Sequence, residues 1–186
     1  MGDWKVMEMK KMVELVKQDF NKNKKFYFEV KKKLKNKLAE NIPINQVGST
    51  AIPDMYGKNI MDILVGAVDN DEFENIKNVL ESEGFVASKK SKDEIYQFLS
   101  STADETGSGD VHIHLVIIDT ERYNEFLILR DYLLISKEEA KKYSNLKQEI
   151  IDLGTTDRRE YKRIKSEYVT KLLDRAKEWK KTQYYL

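Results

Sequence analysis

Apolar positions along the chain fall into helix-period and strand-period blocks whose order outlines a fold. Residues 5–20 place Met9, Met12, Val13, Val16 and Phe20 on one face of an expected helix. A second expected helix, about 24–40, carries Phe26, Val30, Leu34 and Leu38 at steps of four. Ile44–Val47 reads as a short strand ending in Gly48-Ser49-Thr50. Residues 59–65 are apolar on both faces except for Asp62, the pattern of a buried central strand. Asp71 and Glu74 have capping-box spacing ahead of Phe73, Ile76 and Leu80, with Gly84 as the stop. Strands are expected at 85–88 and 94–100, and a Gly/Ser/Asp loop at 103–109 leads into another at 111–118. Beyond that point the chain turns helical. Thr120 caps a helix to about 135, Ser136 with Glu139 boxes the next, which Gly154 closes, and Asp157 with Glu160 boxes a last long one. The pattern predicts an α+β fold, a small mixed β-sheet flanked by N-terminal and C-terminal helices. One domain over 1–186 is expected, with helices at 1–41, the sheet core at 42–119 and helices at 120–186.

Composition narrows the function classes. The absence of cysteine rules out a disulfide framework and a thiolate metal site. No apolar run approaches the ~18–20 residues of a membrane span, and the first residues lack the basic-then-apolar order of a secretory signal. The expectation is a soluble cytoplasmic protein with no membrane partner. The net charge of +1 is unevenly spread, at +6 over residues 1–41, −9 over 42–120 and +4 over 121–186. An acidic centre between basic flanks suits a metal and an anionic ligand, although lysine-rich helices with solvated faces produce the same pattern. With so small a net charge, nucleic acid is not an expected partner. The sequence leaves the oligomeric state open.

Three features carry candidate chemistry. Gly48-Ser49 precedes Asp62 by one strand-and-turn interval. A glycine admits a phosphate to the backbone, and a serine hydroxyl can donate to its oxygens. An aspartate in an apolar strand is costly to bury unless something positive sits on it, and a divalent metal is the usual partner in phosphoryl chemistry. In the strand DVHIHLVIID, Asp110, His112 and His114 share one face, and the two histidines are the only ones in the chain. They can ligate a metal jointly, or be two half-buried rings hydrogen-bonded to neighbours. The third feature is a basic residue within the apolar stripe of each C-terminal helix. Arg130 lies between Phe126 and Leu134, Lys147 between Tyr143 and Ile151, and Lys165 between Tyr161 and Val169. Each can snorkel, pair with a carboxylate such as Asp131, or reach an anion.

At these residues the chain resembles the GrpB family of expected nucleotidyltransferases. The run VGSTAIPDMYGKNIMDILV matches the family's, with Gly48, Ser49, Thr50, Pro53, Lys58 and Asp62 in register. The paired histidines match His112 and His114, and Arg-Asp-Tyr-Leu matches Arg130, Asp131, Tyr132 and Leu133. Further matches fall at Tyr143, Leu146 and Lys147, and at Tyr161 and Lys165. The resemblance covers about residues 44–170 and implies a nucleotidyltransferase-like fold. It implies transfer of a nucleotidyl or phosphoryl group to an unknown acceptor, with Asp62 catalytic. A divalent metal (Mg, Mn or Zn) would sit on Asp62, His112 and His114. Gly48, Ser49, Thr50, Lys58, Arg130, Lys147 and Lys165 would hold a small phosphate-bearing substrate, with a nucleoside triphosphate as the candidate. The wider nucleotidyltransferase pattern has a second acidic residue two positions after the first, and here that position is Leu64. That departure keeps a second reading open, a non-catalytic nucleotide- or anion-binding module on the same fold.

Overall fold

The computed structural model describes residues 13–89, 94–101, 110–154 and 158–183. Within the expected first helix, the described residues 13–19 are not helical. Residues Val16–Lys17 form a short strand, β1, and the first described helix, α1, spans Phe20–Lys35. The reason is Asp19, whose carboxylate accepts the Lys22 N–H at 3.0 Å and starts α1 there. A helical stripe drawn through 5–20 runs across this cap, and its Met9 and Met12 lie outside the described residues. Helix α1 buries Tyr27, Val30 and Leu34, whereas Phe26 is exposed. Leu38 reaches the core from the turn that follows the helix.

The remaining strands are β2 (Ile44–Val47), β3 (Tyr56–Gly57), β4 (Met61–Ala67), β5 (Val86–Ala87), β6 (Tyr96–Ser100) and β7 (Val111–Ile117). A single 3-10 turn, Ser49–Ala51, follows β2. β1 and β3 pair with each other, while the main sheet has the order β2-β4-β7-β6-β5. Its centre is a parallel pair, β4 with β7, and its other pairings are antiparallel. Helix α2 (Asn70–Ser82) lies in the crossover between the parallel strands. Its cap is Asp69, two residues before the expected one. Asp69 accepts the Glu72 N–H, and Glu72 in turn accepts the Val68 N–H just ahead of the cap, a box-like pair two positions upstream of the expected one. Gly84 ends this turn at φ +90. Three helices close the chain: α3 (Glu121–Ile135), α4 (Lys137–Asp152) and α5 (Arg158–Thr182). Thr120 and Ser136 cap α3 and α4 as expected, and Asp157 lies outside the described residues, as does the 103–109 loop. Among the described residues no helix is long and apolar enough to cross a membrane.

Strand alternation divides the side chains between two layers. Met61, Ile63, Val65, Ile113 and Leu115 face α1 and α2 and form the main core with Val30, Leu34, Phe73, Ile76 and Leu80. The opposite face carries Asp62, His112 and His114. It is also packed at Leu64 and Val116, against Val47, Tyr123, Phe126 and Leu127. The C-terminal helices therefore roof the polar face of the sheet.

A candidate anion-binding active site

Asp62 on β4 stands opposite His112 on β7, and Leu64 stands opposite His114. Parallel pairing of two neighbouring strands therefore brings the three polar side chains together. His112 Nδ1 and His114 Nε2 each lie 3.4 Å from Asp62 Oδ1. Tyr96 Oη lies 3.0 Å from His114 Nδ1. Asp62 and Tyr96 thus engage the two ring nitrogens of His114 and fix the orientation of its ring. Phe98 and Phe126 pack their rings against the histidines, with centroids 4.8 Å from His112 and 4.6 Å from His114. Burial alone pushes the Asp62 carboxyl up. The hydrogen bonds and charges of the two histidines outweigh that and hold it well below the usual carboxylate range. Burial also raises the Tyr96 hydroxyl, to about 12.

The turn after β2 wraps this carboxylate. Gly48 adopts φ +70, and a Cβ there would come within 2.3 Å of Asp62 Oδ2. Both the backbone angle and the close approach require glycine. Ser49 packs in the same way against Gly57, where a Cβ would lie 2.3 Å from Ser49 Oγ. Thr50 is buried beneath the turn with its hydroxyl on Met61 and Gln46, outside the cavity lining.

Above the floor lies a cavity of about 570 Å³, lined among others by Gly48, Ser49, Asp62, His112 and His114. Its cationic lining residues are Lys58, Arg130, Lys147, Lys162 and Lys165. Asp62 is the only acidic residue among the described lining residues. All three stripe cations thus face this cavity, although the α3 stripe breaks at the exposed Leu134. Arg130 is set by Asp131, which accepts from its Nε and Nη2 at 2.8 and 2.7 Å, and by the Gln46 carbonyl at 3.4 Å. Tyr161 lines the cavity and is pushed by burial to about 12, whereas Tyr132 packs against Trp179 outside it. Lys147 is 2% exposed, donates to the Tyr56 carbonyl and stands 4.7 Å over the Tyr143 ring. Burial first, and then neighbouring Lys165, pull its pKa down to about 7, with Asp62 opposing.

Several contributors carried no signal in periodicity. Gln18 Nε2 donates to the carbonyls of Gly57 and Lys58 at 3.1 and 3.3 Å, and Asn23 braces its other amide atom at 2.9 Å. Ser144 Oγ accepts the Tyr56 N–H at 2.8 Å. Lys162 follows Tyr161 on α5 and lines the cavity from an exposed position. Among the described residues, no group of three or more His, Cys, Asp or Glu side chains is arranged to hold a metal ion. The trio on the floor is thus a carboxylate bonded to two imidazoles and not a ready cage. Leu64, fully buried in the apolar cluster below α3, removes the second carboxylate that a two-metal site needs.

This architecture and the motif set define a GrpB-type α+β protein, and comparison with known proteins bears this out. The GrpB protein family model matches residues 12–175, and the chain belongs to that family. A UPF0157 protein from Deinococcus radiodurans is 32% identical over 71% of this chain and 66% of its own length. The glutamate-rich protein GrpB of Alkalihalophilus pseudofirmus is 27% identical over 81% of this chain and 88% of its own. The crystal structure of conserved protein GrpB from Enterococcus faecalis superposes with a TM-score of 0.76 at 20% identity, covering 89% of this chain and 99% of that one. The matched part spans from 40% to 88% of the length of the curated relatives. Cid1 poly(U) polymerase aligns loosely, at TM-score 0.47 and 15% identity over 71% of this chain and 45% of its own, a likeness too slight to argue from.

Proposed function

We propose that the cavity binds a nucleotide or another small phosphate-bearing molecule, and that a nucleotidyl or phosphoryl group is transferred there to an acceptor. The observation that carries the reading is the opposition of charge across one cleft. Its floor holds one carboxylate and two imidazoles, and its walls present Lys58, Arg130, Lys162 and Lys165. A volume of about 570 Å³ suits a nucleotide-sized ligand. Phosphoryl chemistry asks little covalent work of a protein and depends on positioning and charge stabilisation, which such walls supply. A carboxyl held as low as that of Asp62 is a weak base. Its role is to orient the two rings and to meet the cation that accompanies the substrate's phosphates. A divalent ion of this kind arrives with the nucleotide as part of the substrate, since the described residues form no cage of their own for it.

The second reading, a module that binds the anion without turning it over, is favoured by Leu64, which leaves Asp62 without a carboxylate partner on β4. A nucleotide thermal-shift panel with and without Mg²⁺, Mn²⁺ and Zn²⁺, followed by product analysis, separates the two. Nucleotide stabilisation with product formation supports transfer. Stabilisation without product under any metal supports the module. No stabilisation by any nucleotide or phosphate overturns both.

A further inference from the structure

This inference rests on the anion-binding reading of the cavity and concerns what happens to a proton when the anion enters. Among the described lining residues, Lys147 is the one cation that is almost wholly shielded from water, at 2% exposure. Its Nζ donates to the Tyr56 carbonyl and lies over the Tyr143 ring. It forms no salt bridge with a described carboxylate. The groups that face it are few. Helix α5 contributes the Lys165 ammonium, its own helix contributes Tyr143, and β4 contributes Asp62, which is engaged with two histidines. Lys58, Arg130 and Lys162 complete the cationic wall among the described lining residues. A buried ammonium with like charges around it and one neutral acceptor is poorly stabilised.

We propose that Lys147 takes up a proton when a phosphate-class dianion enters the cavity, so that the wall gains one positive charge in the bound state. The ligand adds negative charge beside Lys147 to that of Asp62 and offsets the repulsion from Lys165. The window follows from the empty site, in which Lys147 titrates at about 7 instead of its ordinary 10.5. Below pH 7 the ammonium is already formed, and binding takes up no proton there. Above pH 7 the amine is neutral in the empty protein and protonates on binding. Anion affinity therefore falls as pH rises from about 7 towards 10, by up to about tenfold per unit.

Calorimetric titration with inorganic sulfate, whose charge is constant over this range, and with ATP reads the proton directly. Heats in two buffers of different ionisation enthalpy give the number taken up. Wild-type protein at pH 8 is expected to take up most of one proton, and its sulfate Kd to rise up to about tenfold per pH unit above 7. Lys147→Met is expected to remove both the uptake and the slope. Lys147→Arg, charged at every pH used, is expected to bind without uptake and with a flat profile, and it serves where the methionine variant fails to fold. An NMR titration of the Lys147 side chain, with and without sulfate, checks the same shift at the atom concerned. An uptake that persists in Lys147→Arg, or a wild-type profile that is flat above pH 7, overturns the proposal while leaving anion binding intact. Absence of binding by both sulfate and ATP overturns the functional reading beneath it, and the proposal with it.

Discussion

Single atoms decide the geometry of the floor. Gly48 has neither the backbone angle nor the space for a side chain, since its missing Cβ would meet Asp62 Oδ2 at 2.3 Å. Gly48→Ala is therefore expected to destabilise the fold by about 1–3 kcal/mol, from the strained φ together with the clash. Urea denaturation measures it, and a loss below a few tenths would mean that the turn re-forms elsewhere. Asp62→Asn tests the charge of the floor separately from its shape. Removing the one negative group opposite the cationic wall should tighten metal-free sulfate binding by roughly threefold to tenfold, an electrostatic gain of about 1 kcal/mol at protein-surface dielectric. The same change should erase any gain in nucleotide affinity that Mg²⁺ gives the wild type. Sulfate binding that weakens in this variant would show that Asp62 builds the anion site instead of opposing it. These residues were legible in the sequence because their chemistry conflicts with their surroundings. An aspartate in an apolar strand and two histidines on one strand face announce themselves, whereas Tyr96 and Phe98, which lock and pack the rings, look like ordinary strand residues.

Element boundaries were readable where a local cap sets them and misleading where a tertiary grip does. Thr120 and Ser136 start α3 and α4 because their hydroxyls accept N–H groups three residues on. The expected first helix has helical spacing, but its described residues 13–18 are not helical, and Val16–Lys17 form a strand. Its backbone is held by the Gln18 N–H on the Met55 carbonyl and by the β1–β3 pair, and no periodicity within the segment encodes that partner. The strap at 56–58, which delivers Lys58 to the cavity, hangs on remote side chains: Gln18, Ser144 and Lys147. Gln18→Ala strips the Gly57 and Lys58 carbonyls of their donor and leaves the Asn23 amide without its acceptor. A loss of about 1–3 kcal/mol is expected from these unsatisfied buried groups. Sulfate affinity should fall with it as Lys58 loses its position. Unchanged affinity in a folded Gln18→Ala protein would separate the strap from the site.

At the scale of the whole molecule, the same buried groups set how stability varies with pH. Asp62 has its pKa depressed by folding, so its contribution is complete above the ordinary value of 3.8 and is lost as the pH falls towards its lower folded value. Lys147 works in the opposite sense to a stabilised lysine. Its folded pKa of about 7 lies below the unfolded 10.5, so between these values the unfolded chain binds more protons than the native one. Stability in the absence of ligand should therefore rise with pH from about 7 towards 10. Above 10 the sign reverses, because Tyr96 and Tyr161, held near 12, keep protons in the native state that the unfolded chain releases. The stability these groups govern should peak near pH 10, well above the sequence pI of about 7.7. Urea midpoints taken from pH 6 to 11 should show this peak in the wild type, and a flat limb between 7 and 10 in Lys147→Met. Sulfate at saturation should also flatten that limb by protonating Lys147 in the native state. A wild-type midpoint that stays flat between pH 7 and 10 would mean that Lys147 keeps its proton in the ligand-free protein and is a charged ammonium there.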